Sequence, residues 1–230
     1  MSSINPLLLP IKKDNDTIKK TVLENIINML NKRKWISNEN LKKQIKLITE
    51  NQNDEQVYKI SLDVDLKDVE TYYPVEDTER KFDKDFNGKY VIVKLLPQNV
   101  TSIGKSPIIG EFLSTYNKFH RLIVVDEITE KVRNTLLHSN KHLEILKEEF
   151  LMIDLLEHYC SPKYEVLTPA EVKEFVISYN TPRRNLQFML DSDPASMYLF
   201  LEKGQIVRVI RYSEVSGIAV IYRIVVHKKS

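Results

Sequence analysis

Catalysis by a protein chain needs a nucleophile beside a base, carboxylates held in contrasting environments, or a metal site. The five histidines, His120, His138, His142, His158 and His227, are scattered, and none has a second ligand at helical or strand spacing. His158 and Cys160 stand two apart in a connector-like stretch. With no second pair they make half a zinc site, for which a surface accident is the commoner reading. "DVDLKD" at 63–68 has the acidic alternation of a calcium loop but lacks its central glycine and distal glutamate, so a solvated strand face is expected. "TSIGKS" at 101–106 has one glycine and one lysine without phosphate-loop spacing, and no Gly-x-Ser-x-Gly turn occurs. The remaining chemistry is cationic: "GQIVRVIRYSEVSGIAVIYRIVV" at 204–226 reads as two apolar strands interrupted by Arg208, Arg211 and Arg223. Fixed cations on such strands point to binding, through arginine stems that lie over apolar surface or heads that anchor a partner.

Composition sets the frame. The 230 residues are 42% hydrophobic and 29% charged, enough apolar material for one or two domains with real cores. A formal charge of +2 recommends neither nucleic acid nor membrane as a bulk partner. A single cysteine forms no internal disulfide, and no apolar run approaches the roughly 20 residues of a membrane helix, so a soluble intracellular protein is expected.

The elements that must carry these residues follow from periodicity. Ile18, Val22, Ile26, Met29 and Leu30 mark an amphipathic helix, and Leu41, Ile45 and Ile48 a second one behind Ser37 as N-cap. Two helices across a short turn are the form of a DNA-reading pair, but packing a helical hairpin is the commoner use. Strand alternation at 57–66 would turn Asp63 and Asp65 away from Leu62, Val64 and Leu66. The charged stretch 72–87 reads as loop. Then "KYVIVKL", a helix over 107–119, "RLIVVD", a helix over 130–138 capped by Thr129, and "LEILKEEFLMID" alternate as parallel strands and covering helices. Beyond a proline-bearing connector, Thr168, Pro169 and Glu171 spell a capping box before the stripe Val172, Phe175, Val176 and Tyr179. Asp193 and Pro194 open a shorter helix, and Gly204 turns the chain into the hairpin. The expected fold is α/β: residues 1–157 as a helical hairpin plus α/β sheet, and 158–230 as a smaller α/β unit ending in a β-hairpin.

The motifs Thr168–Val172, Ser192–Pro194, Gly204–Arg211, Ser213–Gly217 and Tyr222–Val225 resemble the C-terminal domain of the fifth subunit shared by eukaryotic nuclear RNA polymerases, and its short archaeal counterpart. Upstream, "RLIVVDEITEKV" and "LEILKEEFLMIDLLEHYCSP" are similar to the eukaryotic subunit's N-terminal jaw domain and its connector, which the archaeal protein lacks. The likeness spans roughly Leu7 to Val226. Departures include Tyr212 for a family proline, Phe200 for a family glycine, Glu202 for a base, and Thr129-Glu130 where the jaw helix usually begins Thr-Pro. They suggest a divergent member, from a large DNA virus or a fast-evolving eukaryote.

The resemblance implies a non-catalytic assembly subunit of a multisubunit DNA-directed RNA polymerase. Its partners would be the largest subunit and the small shared sixth subunit, with downstream duplex DNA touched weakly through the jaw. The candidate partner-binding residues are Thr168, Asp193, Pro194, Gly204, Gln205, Arg208, Arg211, Ser213, Glu214, Gly217, Tyr222 and Arg223. Lys131 and Arg133 are the DNA-proximal candidates, against which stands a solvated helix face. Glu214 is also a local partner for Arg211. No catalytic or metal residue and no cofactor is expected in this chain, since the magnesium and zinc belong to other subunits. Neither a membrane nor a second copy is an expected partner. The compartment would be the nucleus, or a virion or cytoplasmic viral factory for a viral gene. The alternative functions are a free DNA-binding regulator using the N-terminal helices, and a small hydrolase with an unrecognised triad.

Overall fold

The computed structural model describes residues 15–50, 56–69, 85–101, 107–157, 161–213, 215 and 217–227. The expectations for residues 70–84, Lys105, Ser106, His158, Cys160 and Glu214 fall outside them. Helix α1 (Asn15–Lys32) and helix α2 (Asn38–Glu50) form a hairpin across a turn in which Lys34 takes φ 62 and Trp35 and Ile36 are buried. Strands β1 (Val57–Ser61), β2 (Asn87–Leu96), β3 (Phe119–Val125) and β4 (Leu143–Lys147) make one sheet in that order, with helix α3 (Pro107–Thr115) and helix α4 (Glu130–Ser139) in the crossovers. β1 is antiparallel to β2, whereas β2, β3 and β4 run parallel, as the strand–helix alternation predicts.

Both faces of this sheet are covered, which explains the near-continuous apolar runs in β2 and β3. Val91, Val93, Leu95, Leu122, Val124 and Leu146 pack beneath α1 and α2. Ile92, Leu96, Ile123, Val125 and Ile145 pack against Ile109 and Phe112 of α3 and Leu136 of α4. Each fully buried aliphatic side chain contributes about 1.5–3 kcal/mol over an exposed one, so this double-sided core is the main source of stability.

Three local expectations are corrected. Helix α3 stops at Thr115, and Phe119 opens β3 instead, because the Asn87 backbone of β2 donates to the Lys118 carbonyl at 2.7 Å. β1 ends at Ser61, so Asp63 lies on no strand face: its carboxylate accepts from the Ser37 backbone at 2.6 Å and from Asn40 at 2.7 Å, pinning the start of α2. Those bonds, the Ser37 backbone one foremost, hold Asp63 below the usual carboxylate range. Thr129 precedes α4 in extended conformation but makes no side-chain capping bond.

The second sheet holds β5 (Lys163–Val166), β6 (Gln187–Leu190), β7 (Ile206–Ser213) and β8 (Gly217–Val226), ordered β5-β7-β8-β6. β7 is antiparallel to β5 and β8, while β6 runs parallel to β8. Helix α5 (Pro169–Tyr179) covers one face through Val172 and Phe175. Helix α6 (Pro194–Leu199) belongs to this half by sequence and reaches its core through Leu199, but packs mainly on the other half. Its Tyr198 is 1% exposed within the core of the first sheet, joined there by Met197, Leu199 and the following Phe200.

What receives α6 is a buried polar cluster. Arg33, at the end of α1, forms a two-pronged ion pair with Glu144 of β4, both contacts at 2.7 Å. The same guanidinium donates to the Tyr198 and Met197 carbonyls at 2.8 and 3.1 Å. His120, wholly buried at the start of β3, lies with Nε2 2.6 Å from the Glu144 carboxylate. Burial holds His120 below its usual range, against the pull of Glu144, so the neutral ring donates its Nε2–H. Burial alone would raise Glu144, but the charge of Arg33, then the His120 hydrogen bond, outweigh it and hold the carboxyl at about 2.

In both cases the unfolded chain binds protons more readily than the folded one. Stability is therefore full at neutral pH, falls below about 6.5 as unfolded His120 charges, and falls again below about 4.5 as unfolded Glu144 protonates. Thermal denaturation followed by the fluorescence of the single tryptophan, Trp35, should show Tm dropping stepwise from pH 7 to pH 4. A flat profile would contradict the arrangement.

Candidate docking face of the C-terminal module

The helix caps that open this module form as read. Thr168 and Glu171 complete a reciprocal capping box, with bonds of 2.8 Å from the Thr168 backbone and 3.3 Å from the Glu171 backbone. Asp193 accepts from the Ala195 backbone at 2.9 Å with Pro194 next in line. Gly204 turns at φ 91, and Gln205, 2% exposed, accepts from the Glu202 backbone at 2.8 Å. Gly217 sits at φ 70, a left-handed value that opens β8 and that only glycine adopts freely. These five candidates, Thr168, Asp193, Gly204, Gln205 and Gly217, thus build the module. Ser213 pairs with Gly217 across the turn.

Antiparallel register sorts the hairpin into two faces. Ile206, Arg208, Ile210 and Tyr212 stand beside Ile224, Tyr222, Val220 and Ile218, and Val207, Val209 and Arg211 beside Arg223, Ile221 and Ala219. On the first face α5 covers only one end. Ile206 is buried, and Tyr222 stacks on Phe175 with ring centroids 4.4 Å apart and on Tyr179 at 5.6 Å. The distal end is bare: Ile218 is 61% exposed, Val220 49%, Tyr212 90% and the turn residue Val215 99%. Alongside, the edge strand β6 sets exposed Phe188 beside Ile224 and exposed Leu190 beside Val226. The row of alternate apolar β8 residues from Ile218 to Val226 is therefore covered over only half its length.

The three arginines have three fates. Arg208 faces Glu165 across β5–β7 and binds it through Nε at 2.8 Å. Lys163, then Arg208, hold Glu165 below the usual carboxylate range. Arg223 is half-buried on the other face, where its Nε has no hydrogen-bond partner among the described residues. Arg211 alone is fully presented to solvent, with no ion-pair partner among the described residues.

The jaw candidates also diverge. Lys131 is exposed on the first turn of α4, amid exposed Asp126, Glu127 and Glu130. Arg133 turns inward, its Nη2 2.9 Å from the Met197 sulfur of α6, and burial lowers its pKa against the opposing pull of Asp191 and Glu130. Among the described residues no cluster of three His, Cys, Asp or Glu side chains is placed to hold a metal ion, and no helix is long and apolar enough to cross a membrane. Phe188, Leu190, Tyr212, Val215, Ile218 and Val220 make up the bare face without having been partner-binding candidates. The alternation of Phe188 and Leu190 in "QFML" was the available signal.

Residues 153–225 match the family described as RNA polymerase Rpb5, C-terminal domain. DNA-directed RNA polymerase subunit 5 of Acanthamoeba polyphaga mimivirus is 30% identical over 227 residues, covering 96% of this chain and 98% of that protein. The chain belongs to the RNA polymerase subunit 5 family. Within it, subunit RPABC1 of DNA-directed RNA polymerases I, II and III from Caenorhabditis elegans is 36% identical over 84 residues, 36% of this chain and 40% of that protein. DNA-directed RNA polymerase subunit Rpo5 of Methanocaldococcus jannaschii is 32% identical over 72 residues, which are 31% of this chain but 92% of that short relative. The module carrying the bare face lies within the 153–225 stretch that matches the family's C-terminal domain.

Because Arg208 is spent inside the sheet and Arg211 is not, their replacements should separate. Arg208→Ala removes a partly exposed, solvent-screened pair and should lower Tm by roughly 1–4 °C. Arg211→Ala should leave Tm unchanged. Scanning calorimetry of the two variants checks this, and equal shifts would place both arginines in the same role.

Proposed function

We propose that this chain is a non-catalytic assembly subunit of a multisubunit DNA-directed RNA polymerase, with residues 158–230 as its docking module and residues 1–157 as its jaw. The observation that supports this best is the uncovered end of the β7–β8 face. Ile218, Val220, Tyr212 and Val215 are large apolar side chains left in water in the portion that the family shares. Contiguous apolar surface of this kind marks a protein interface. Its occupant in this reading is the largest polymerase subunit, with the small sixth subunit nearby. Arg211, exposed at the same end of the hairpin and without an ion-pair partner among the described residues, supplies an anchor for a partner carboxylate or carbonyl.

The jaw lies near downstream DNA without gripping it. Phosphate affinity scales with the cations presented, and here Lys131 stands among three carboxylates while Arg133 is turned inward. The nearly full-length likeness to a viral subunit favours a virion or viral factory as the site of action over a nucleus.

Coexpression of the tagged chain with the large subunits, followed by quantified copurification, tests the docking face. Burying Ile218 and Val220 on a partner would contribute about 1.5–3 kcal/mol each, so Ile218→Asp with Val220→Asp should cut incorporation at least tenfold. Arg211→Glu should weaken incorporation less severely, and both variants should melt like the parent. Full incorporation of the double aspartate variant would remove the hairpin from the interface.

A further inference from the structure

The connection between the two sheets runs through buried polar groups contributed by both halves. Arg33 spends its charge on Glu144 of the first sheet and further donors on two carbonyls at the C-terminus of α6, that of Tyr198 and that of Met197, which also accepts from the Phe200 backbone at 3.2 Å. The Tyr198 hydroxyl crosses back to donate to Asp154 at 2.8 Å. Arg133 of α4 grips the other side of the same helix through the Met197 sulfur.

Phe200 closes the arrangement. It follows α6 at φ 53 and ψ 52, a left-handed position that glycine tolerates and that strains any other residue. Its ring meets His120 edge-on at a 5.2 Å centroid separation and Trp35 at 6.1 Å, and Arg33 lies over the faces of Trp35 and Phe200 at 4.9 and 5.5 Å. A strained backbone persists only where its surroundings over-determine it. Here the surroundings are the Arg33–Glu144–His120 cluster of the opposite half.

We propose that this junction is a lock that makes the jaw and the docking module one stiff arm, with Phe200 as its key. The α6 helix cannot swing away from the first sheet without leaving the buried Arg33 Nε–H unpartnered, uncapping the Tyr198 carbonyl and pulling an aromatic ring from its slot. Docking of one half therefore fixes the direction in which the other points. The lock is a property of the chain itself, so it holds or fails independently of what the docking face binds.

Paired spin labels on the full chain test it. With Cys160 replaced by serine, cysteines at exposed Lys131 on α4 and Lys173 on α5 carry the labels, and double electron–electron resonance reads the distance distribution. The parent should give a single narrow distribution. Phe200→Gly, which relieves the backbone and removes the ring, should broaden it or add a second population while circular dichroism stays unchanged. Phe200→Leu, which keeps an apolar plug, should fall between and serves in its place should the glycine variant not fold. A broad parental distribution would overturn the lock, as would folded Phe200 variants that keep the parental width.

Discussion

The constraint on which the rest of this structure depends is the desolvation of Arg33. Its side chain is 2% exposed and that of Glu144 5%, so neither charge has water to fall back on. A pair of this kind adds little net stability compared with an apolar substitute, but removing one member strands the other at a cost of roughly 3–5 kcal/mol. Such a cluster selects one arrangement more than it deepens the energy well. Arg33 ends α1, Glu144 lies in β4, His120 opens β3, and the accepting carbonyls belong to α6. Satisfying one guanidinium thus aligns the helical hairpin, two strands of the first sheet and the short helix of the second half.

Much of the local structure was legible because its causes are local. The Thr168–Glu171 box, the Asp193-Pro194 start and the apolar stripe of α1 are written within a few residues. The parallel order β2-β3-β4 followed from strand–helix alternation, since chains returning through a helix pair in parallel. The cluster at the junction was not legible: Arg33 and Glu144 are 111 residues apart, and no periodicity links a helix-terminal arginine to a glutamate in an apolar strand. The one available clue was Phe200, a bulky residue where the resemblance leads one to expect glycine, and it takes a left-handed backbone with its ring packed against the other half. Asp63 misleads for a related reason. Its alternation with Leu62 and Val64 looks like a strand, but its bond to the Ser37 backbone across the sequence ends β1 early.

The hairpin shows how residue type alone misleads about role. Arg208, Arg211 and Arg223 look equivalent in sequence, each an interruption of an apolar strand. Register separates them, because Arg208 meets Glu165 on the neighbouring strand, Arg223 lies on the opposite face near the sheet's second core, and Arg211 meets only Ala219 near the open end. A ribbon studded with cations therefore reduces to a bare apolar end beside Arg211, the one of the three arginines that is exposed. That shifts the expected binding energy from charge towards apolar burial, with Arg211 contributing orientation.

The same economy governs the jaw. An arginine that packs inward to hold α6 is withdrawn from any phosphate, and Arg133 has made that exchange. Lys131 is left as the exposed cation at the start of α4, with Asp126, Glu127 and Glu130 around it. Each phosphate neutralised adds about one unit to the salt dependence of DNA binding, so a lone lysine among carboxylates gives weak, sequence-blind attraction at most. In the proposed function such a surface would guide a duplex by shape and limit how closely it approaches. In that reading stiffness matters more than affinity, since a guide that does not grip acts only through where it is held, and the buried arginine at the junction would be what holds it.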